Sequence, residues 1–176
     1  QGLNPDSIER SMFDVLVHRL PIENVITNTE VDLAVSSIDL AGAELALSSM
    51  IGRERALEKA LLPMKGTYDY ILIDTPPSLG LLTINALVAA DHVIVPVQCE
   101  YLSLRGLVQL ENTLAMIREN LNPNVAIMGI LPTMRKADLA LDNMVPSPRY
   151  MTLNRIITEL RGRNFEFSIK GLDELI

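Results

Sequence analysis

The residues with the clearest chemical purpose lie in the run from Tyr68 to Gly80, YDYILIDTPPSLG. An apolar stretch, Tyr70 to Ile73, stops abruptly at Asp74, and Thr75, Pro76 and Pro77 follow at once. Two prolines forbid both helix continuation and ladder hydrogen bonding, so the pattern predicts a buried strand that runs straight into a rigid loop. A carboxylate at the carboxyl end of such a strand sits where a doubly wound sheet places ligand chemistry. There it can hold Mg²⁺, directly or through water, beside the terminal phosphates of a nucleotide. For the bare apolar-apolar-apolar-Asp pattern, the plainer alternative is an aspartate that caps the next loop. The extension through Thr75, Pro76, Pro77 and Gly80 favours the magnesium role for Asp74.

Other chemistries find little support. His18 lies opposite the apolar stripe of its helix and His92 opens a strand, too far apart in sequence for metal-ligand spacing. The single cysteine, Cys99, supports neither a disulfide framework nor a cysteine metal site, which points to a reducing, cytoplasmic compartment. Ser78 and Ser103 have no histidine within reach to activate a nucleophile. No apolar run approaches the ~20 residues that cross a bilayer, and there is no basic-then-apolar leader, so secretion and membrane spanning are not expected. The chain opens on Gln1 rather than methionine, and the reading is that other residues precede it.

These residues must be positioned by a layered fold. Ile8, Met12, Phe13, Leu16 and Val17 recur at helical spacing, with Asp6 or Ser7 as the expected cap and an end near Pro21. Val31 to Ser36 alternates as a strand, and a helical pattern runs from Ala41 to Leu62 with a break at Gly52. Leu81 to Ala90 is a helix, and Asp91 to Val97 is a second continuous apolar strand, which like Tyr70 to Ile73 is expected to be buried on both faces. Ser103 to Leu121 carries the longest helical stripe, Leu104, Leu107, Val108, Leu110, Leu114, Ile117 and Leu121, closed by Asn122 and Pro123. Val125 to Leu131 is a third buried strand. Strands alternating with helices of this length predict an α/β fold: a doubly wound, mostly parallel sheet with helices on both faces and right-handed crossovers. With 176 residues and 48% hydrophobic content there is enough apolar surface for a packed core.

The extended run at Asp74 resembles the second Walker motif and following switch of the ParA/MinD/Soj-type P-loop ATPases, the chromosome and plasmid partitioning family. Val95 to Gly106 (VPVQCEYLSLRG) is similar to that family's next strand and loop, and Gly129 to Met134 (GILPTM) to the strand that ends at the nucleotide base. Ser37 to Glu44 (SIDLAGAE) resembles the segment before the family's dimer-facing helix, and Gln1 to Asn4 the tail of its first switch. The match spans roughly residues 1–134. The resemblance implies ATP or ADP with Mg²⁺ as cofactor and makes Asp74 the magnesium-side catalytic carboxylate. By the same resemblance, Thr75, Pro76, Pro77 and Gly80 belong to the loop that senses the γ-phosphate, and Gln1 and Gly2 are remnants of the first switch. Pro132, Thr133 and Met134 would lie near the adenine, although plain core packing serves Met134 equally well.

The family's phosphate loop, a glycine-rich turn with a signature lysine, is not found in this sequence. The Lys-Gly pairs, Lys65-Gly66 and Lys170-Gly171, have no glycine-rich company. The backbone N–H groups and lysines of such a loop cradle the phosphates and stabilise the charge that develops in phosphoryl transfer. Losses of this class cost about 10³ to 10⁵ in rate, so residues 1–176 alone are expected to hydrolyse ATP negligibly: an incomplete P-loop NTPase fold. The alternative is a catalytically inactive remnant that serves as an interaction or dimerisation module.

The resemblance further implies a nucleotide-bound homodimer, a ParB-like partner protein and non-specific DNA binding. The net charge of −7 excludes a surface that is basic all over, but not a local patch. The candidates are Arg135, Lys136, Arg149, Arg155, Arg161, Arg163 and Lys170, which without aromatic interleaving read more simply as a solvated face. They fall in residues 135–176, a segment that does not match the family. Acidic Asp173 and Glu174 stand where a membrane-binding MinD-type helix would need basic residues.

Overall fold

The computed structural model describes residues 8–98 and 103–133. Chain contacts divide it into two units, one comprising 8–90 with 120–122 and the other 91–98, 103–119 and 123–133 among the described residues. The expected boundary between 134 and 135 falls outside them.

The first unit begins with α1 (Met12–His18). The Ser11 hydroxyl accepts the Phe13 N–H at 3.2 Å while the Asp14 carboxylate accepts the Ser11 N–H at 2.9 Å, a reciprocal capping box. The expected caps, Asp6 and Ser7, lie outside the described residues, and Ser11 fills the role. Arg19, at φ 58°, turns the chain out of the helix. A 3-10 turn at Ile22–Val25 leads to β1 (Ile26–Asn28), which pairs antiparallel with β2 (Asp32–Ala34), Thr27 opposite Leu33. The pairing is antiparallel, since a three-residue connection is far too short for a parallel crossover. After a 3-10 turn at Ile38–Gly42 come α2 (Ala43–Ser48) and α3 (Ala56–Leu61). The expected break between them is at Gly52, whose φ of 69° suits glycine.

Helix α4 (Leu81–Ala89) is the anchor of this unit. Its Asn85 is 1% exposed and fully engaged: the amide oxygen accepts the Leu57 N–H at 3.1 Å, and the amide nitrogen donates to Arg53 O at 2.8 Å and Leu81 O at 3.0 Å. Asn122 donates to the carbonyls of Val88 and Ala90 at the other end of α4. Leu16, Leu47, Leu57 and Ala86 form one core cluster, and Val15, Ile22, Val25 and Met64 a second.

Residues 70–76 carry the main difference from expectation. The segment belongs to no strand, and among the described residues nothing pairs with it. Tyr70 is 86% exposed and Leu72 89%, whereas Ile73 packs against the Leu16, Leu47, Leu57 and Ala86 cluster. Ile71 is exposed as well; a ladder needs a neighbour, and without one these side chains stay open.

The second unit contains β3 (His92–Gln98), α5 (Ser103–Asn120, through Glu119 here) and β4 (Ala126–Thr133). β3 and β4 pair in parallel, in register from Val95 opposite Ile130 to Gln98 opposite Thr133, with a bulge at Val93/Ile94 that leaves Met128 as the extra residue on β4. Val95 and Val97 of β3, Leu107 of α5 and Ile130 of β4 form the core. β3 is buried on one face only: Ile94, between its inward neighbours, is 55% exposed. The Arg118 guanidinium donates to Val125 O at 2.8 Å and ties the end of α5 to the start of β4.

Candidate functional site

Asp74 ends the extended segment with its side chain exposed, and among the described residues it enters no hydrogen bond or ion pair. With Thr75 and Pro76 it lines a cleft of about 530 Å³ whose walls also include Met12, Leu16, Leu33, Leu57, Leu82 and Ala86. The rest of the loop is fastened to the first turn of α4: the Thr83 hydroxyl is 2.6 Å from Ser78 O and 3.4 Å from Pro76 O. Leu82 N–H donates to Glu44 Oε1 at 3.1 Å, and Glu44 lies against Gly80.

The structure therefore brings Asp74, Thr75, Pro76, Pro77 and Gly80 into one continuous loop between the extended segment and α4. Gln1, Gly2 and Met134 lie outside the described residues. Pro132 and Thr133 end β4, and nothing is described of their side chains. Sequence reasoning missed Thr83 and Glu44. The signal for Thr83 was a Thr in the first turn after a glycine, but nothing local could announce Glu44, 38 residues before its partner.

The donor set fits half of the expected cofactor. A single free carboxylate suits Mg²⁺, which keeps most of its waters and takes one or two carboxylates plus substrate phosphates. Among the described residues no group of three or more His, Cys, Asp or Glu is placed to hold a metal ion. No lysine or arginine among the described residues lines the cleft, whose walls are mostly apolar with Ser36, Asp74 and Thr75 as the polar side chains.

Comparison with known proteins decides the family. A model of the AAA domain matches residues 1–127, well over half of the chain. The chain belongs to the ParA/MinD-type P-loop ATPases. Over 139 residues it is 47% identical to the sporulation initiation inhibitor protein Soj of Bacillus subtilis (strain 168), covering 77% of this chain and 55% of that protein. It is 44% identical over 136 residues to the chromosome partitioning protein ParA of Myxococcus xanthus (strain DK1622), covering 76% of this chain and 48% of that one. The chain thus spans about half the length of the curated relatives it matches.

Among solved structures it resembles cobyrinic acid a,c-diamide synthase from Mycobacterium smegmatis with bound ATP analog and magnesium. The TM-score is 0.77 at 35% identity, over 92% of this chain and 63% of that one. This likeness confirms the α/β P-loop NTPase fold, to which the parallel β3–α5–β4 unit conforms. Among the described residues no helix is long and apolar enough to cross a membrane.

Proposed function

We propose that the chain is a ParA-like partitioning ATPase, or a portion of one, that binds Mg-ATP, dimerises and positions DNA or other cargo in the cytoplasm with a ParB-like partner. The observation that carries this reading is Asp74: an exposed carboxylate with no partner among the described residues, at the end of the Tyr70 to Ile73 run and lining a cleft. Asp74 would hold Mg²⁺ at the phosphate end of the nucleotide. Thr75 to Gly80 would respond to the γ-phosphate, since the loop is braced against α4 by Thr83 and so can pass a displacement on to the helix. Bound magnesium would supply charge neutralisation across the terminal phosphates. Gln1 and Gly2 would join from the first switch, and Pro132, Thr133 and Met134 would flank the base. The relative with an ATP analog and magnesium bound supports the cofactor pair.

Isothermal calorimetry with Mg-ATP tests this. Binding that requires magnesium and weakens at least about tenfold in Asp74→Ala is expected, since partners of a bound metal are worth about 10- to 100-fold in affinity. No heat, together with no displacement of a fluorescent ATP analogue, would favour a second reading, an interaction or dimerisation module without catalysis. The exposed Ile38, Leu45 and Ile51 around α2 support that second reading.

A further inference from the structure

Helix α4 starts without a cap of its own. Its N-cap is Gly80, which has no side chain to accept the unsatisfied N–H groups of the first turn. The acceptor comes instead from α2, where Glu44 Oε1 takes the Leu82 N–H at 3.1 Å. A carboxylate is well suited to this end of a helix, where the backbone dipole presents its positive pole.

The same carboxylate explains the glycine. Gly80 has φ −82° and ψ −172°, an extended backbone open to any residue, so its conformation does not demand glycine. A Cβ at position 80 would lie 2.1 Å from Glu44 Oε1 and 2.9 Å from Glu44 Cδ. A side chain there would have to displace the Glu44 carboxylate, the mobile end of its side chain. In the same turn Thr83 holds Ser78 O and Pro76 O, so the turn that Glu44 fixes is the one that fixes the loop.

We propose that Glu44 is a positioning residue for the loop Thr75 to Gly80, acting through the first turn of α4, and that Gly80 is glycine to admit its carboxylate. A shift of α2, or of the Ser37 to Gly42 segment before it, would then be felt at the loop beside Asp74. The consequence for nucleotide binding rests on the reading given under Proposed function; the latch itself does not.

Amide hydrogen exchange on the full chain, followed residue by residue by NMR, tests the latch. Glu44→Ala should speed exchange of the Leu82 amide about tenfold, with Val88 at the far end of α4 unchanged. Glu44→Gln keeps an acceptor oxygen and should stay within about threefold of the parent. Gly80→Ala should displace the carboxylate and speed Leu82 exchange as Glu44→Ala does, yet add nothing in the Glu44→Ala background. An unchanged Leu82 amide in Glu44→Ala would overturn the proposal. So would a Gly80→Ala effect of equal size in both backgrounds. Should Gly80→Ala not fold, the two Glu44 variants decide. No nucleotide enters the experiment, so calorimetry with Mg-ATP and amide exchange report the two readings separately.

Discussion

Two apolar runs of similar composition meet different fates. His92 to Val97 lies in β3, paired with β4, and sends Val95 and Val97 into a core with Leu107 and Ile130. Tyr70 to Ile73 lies in no strand; Ile73 reaches the core of its own unit, but no strand among the described residues pairs with the run, and Tyr70 and Leu72 stand in solvent. The contrast shows what an apolar run means. It is a demand for cover on both faces. Whether the demand is met depends on which neighbours are hydrogen-bonded alongside, and that is a property of the pairing rather than of the run. In β3 even a bonded strand has one open face, at Ile94.

The largest effects should separate the two runs. Ile130 of β4 is buried against Val95 and Val97 of the paired run, and Ile130→Ala should lower stability by about 2 to 5 kcal/mol, read as the shift of a urea unfolding midpoint at constant slope. Leu72→Ala, at an open position, should stay within about 0.5 kcal/mol of the parent. A comparable loss at Leu72 would mean that the run is covered in solution, and the contrast would fail.

Elements whose cause is local were legible in the sequence. The α4 and α5 helices, the break at Gly52 and the strands at His92 and Ala126 follow from periodicity, glycine and apolar continuity within a few residues. What was not legible depends on distant partners. The run ending at Asp74 stood out by its prolines, but the expected strand does not form and Tyr70 and Leu72 stay open, since no local signal reports a missing ladder. β1 and β2 were read without their hairpin, because three-residue strands carry too short a period to reveal antiparallel pairing. Thr75 to Gly80 emerged as one loop, yet the reason for Gly80 lay in Glu44, which a reading of neighbouring residues could not supply.

A smaller effect asks what holds the unit around the unladdered run, if not a sheet. The structure points to the polar pins of α4. Asn85→Ala would leave the Leu57 N–H and the carbonyls of Arg53 and Leu81 without their side-chain partner, in a place water reaches poorly. A loss of about 1 to 3 kcal/mol is expected in the same urea assay. A neutral substitution would show that the two core clusters suffice and that the pins serve geometry rather than stability.

The smallest effect lies where the run begins. Tyr68 donates its hydroxyl to Asp32 Oδ2 at 2.8 Å, and Asn28 donates to the other oxygen, which ties the entry of the extended segment to the β1–β2 hairpin. The hydrogen bond from Asn28, and then that from Tyr68, hold the Asp32 carboxyl below its ordinary 3.8. The same bond pushes the Tyr68 hydroxyl above its ordinary 10.0. The signs bracket the neutral range. Asp32 contributes stability that is present above pH 3.8 and fades as pH falls through its lowered value. Tyr68 contributes stability that is present below pH 10.0 and fades as pH rises through its raised value. Both groups are exposed, so solvent screens the tie and the change in stability should be slight. The titration is the sharper probe: in Asp32→Asn the Tyr68 ring resonances should titrate at lower pH than in the parent. If they titrate unchanged, the tie does not persist in solution, and the apolar run is free of the hairpin as well as of any ladder.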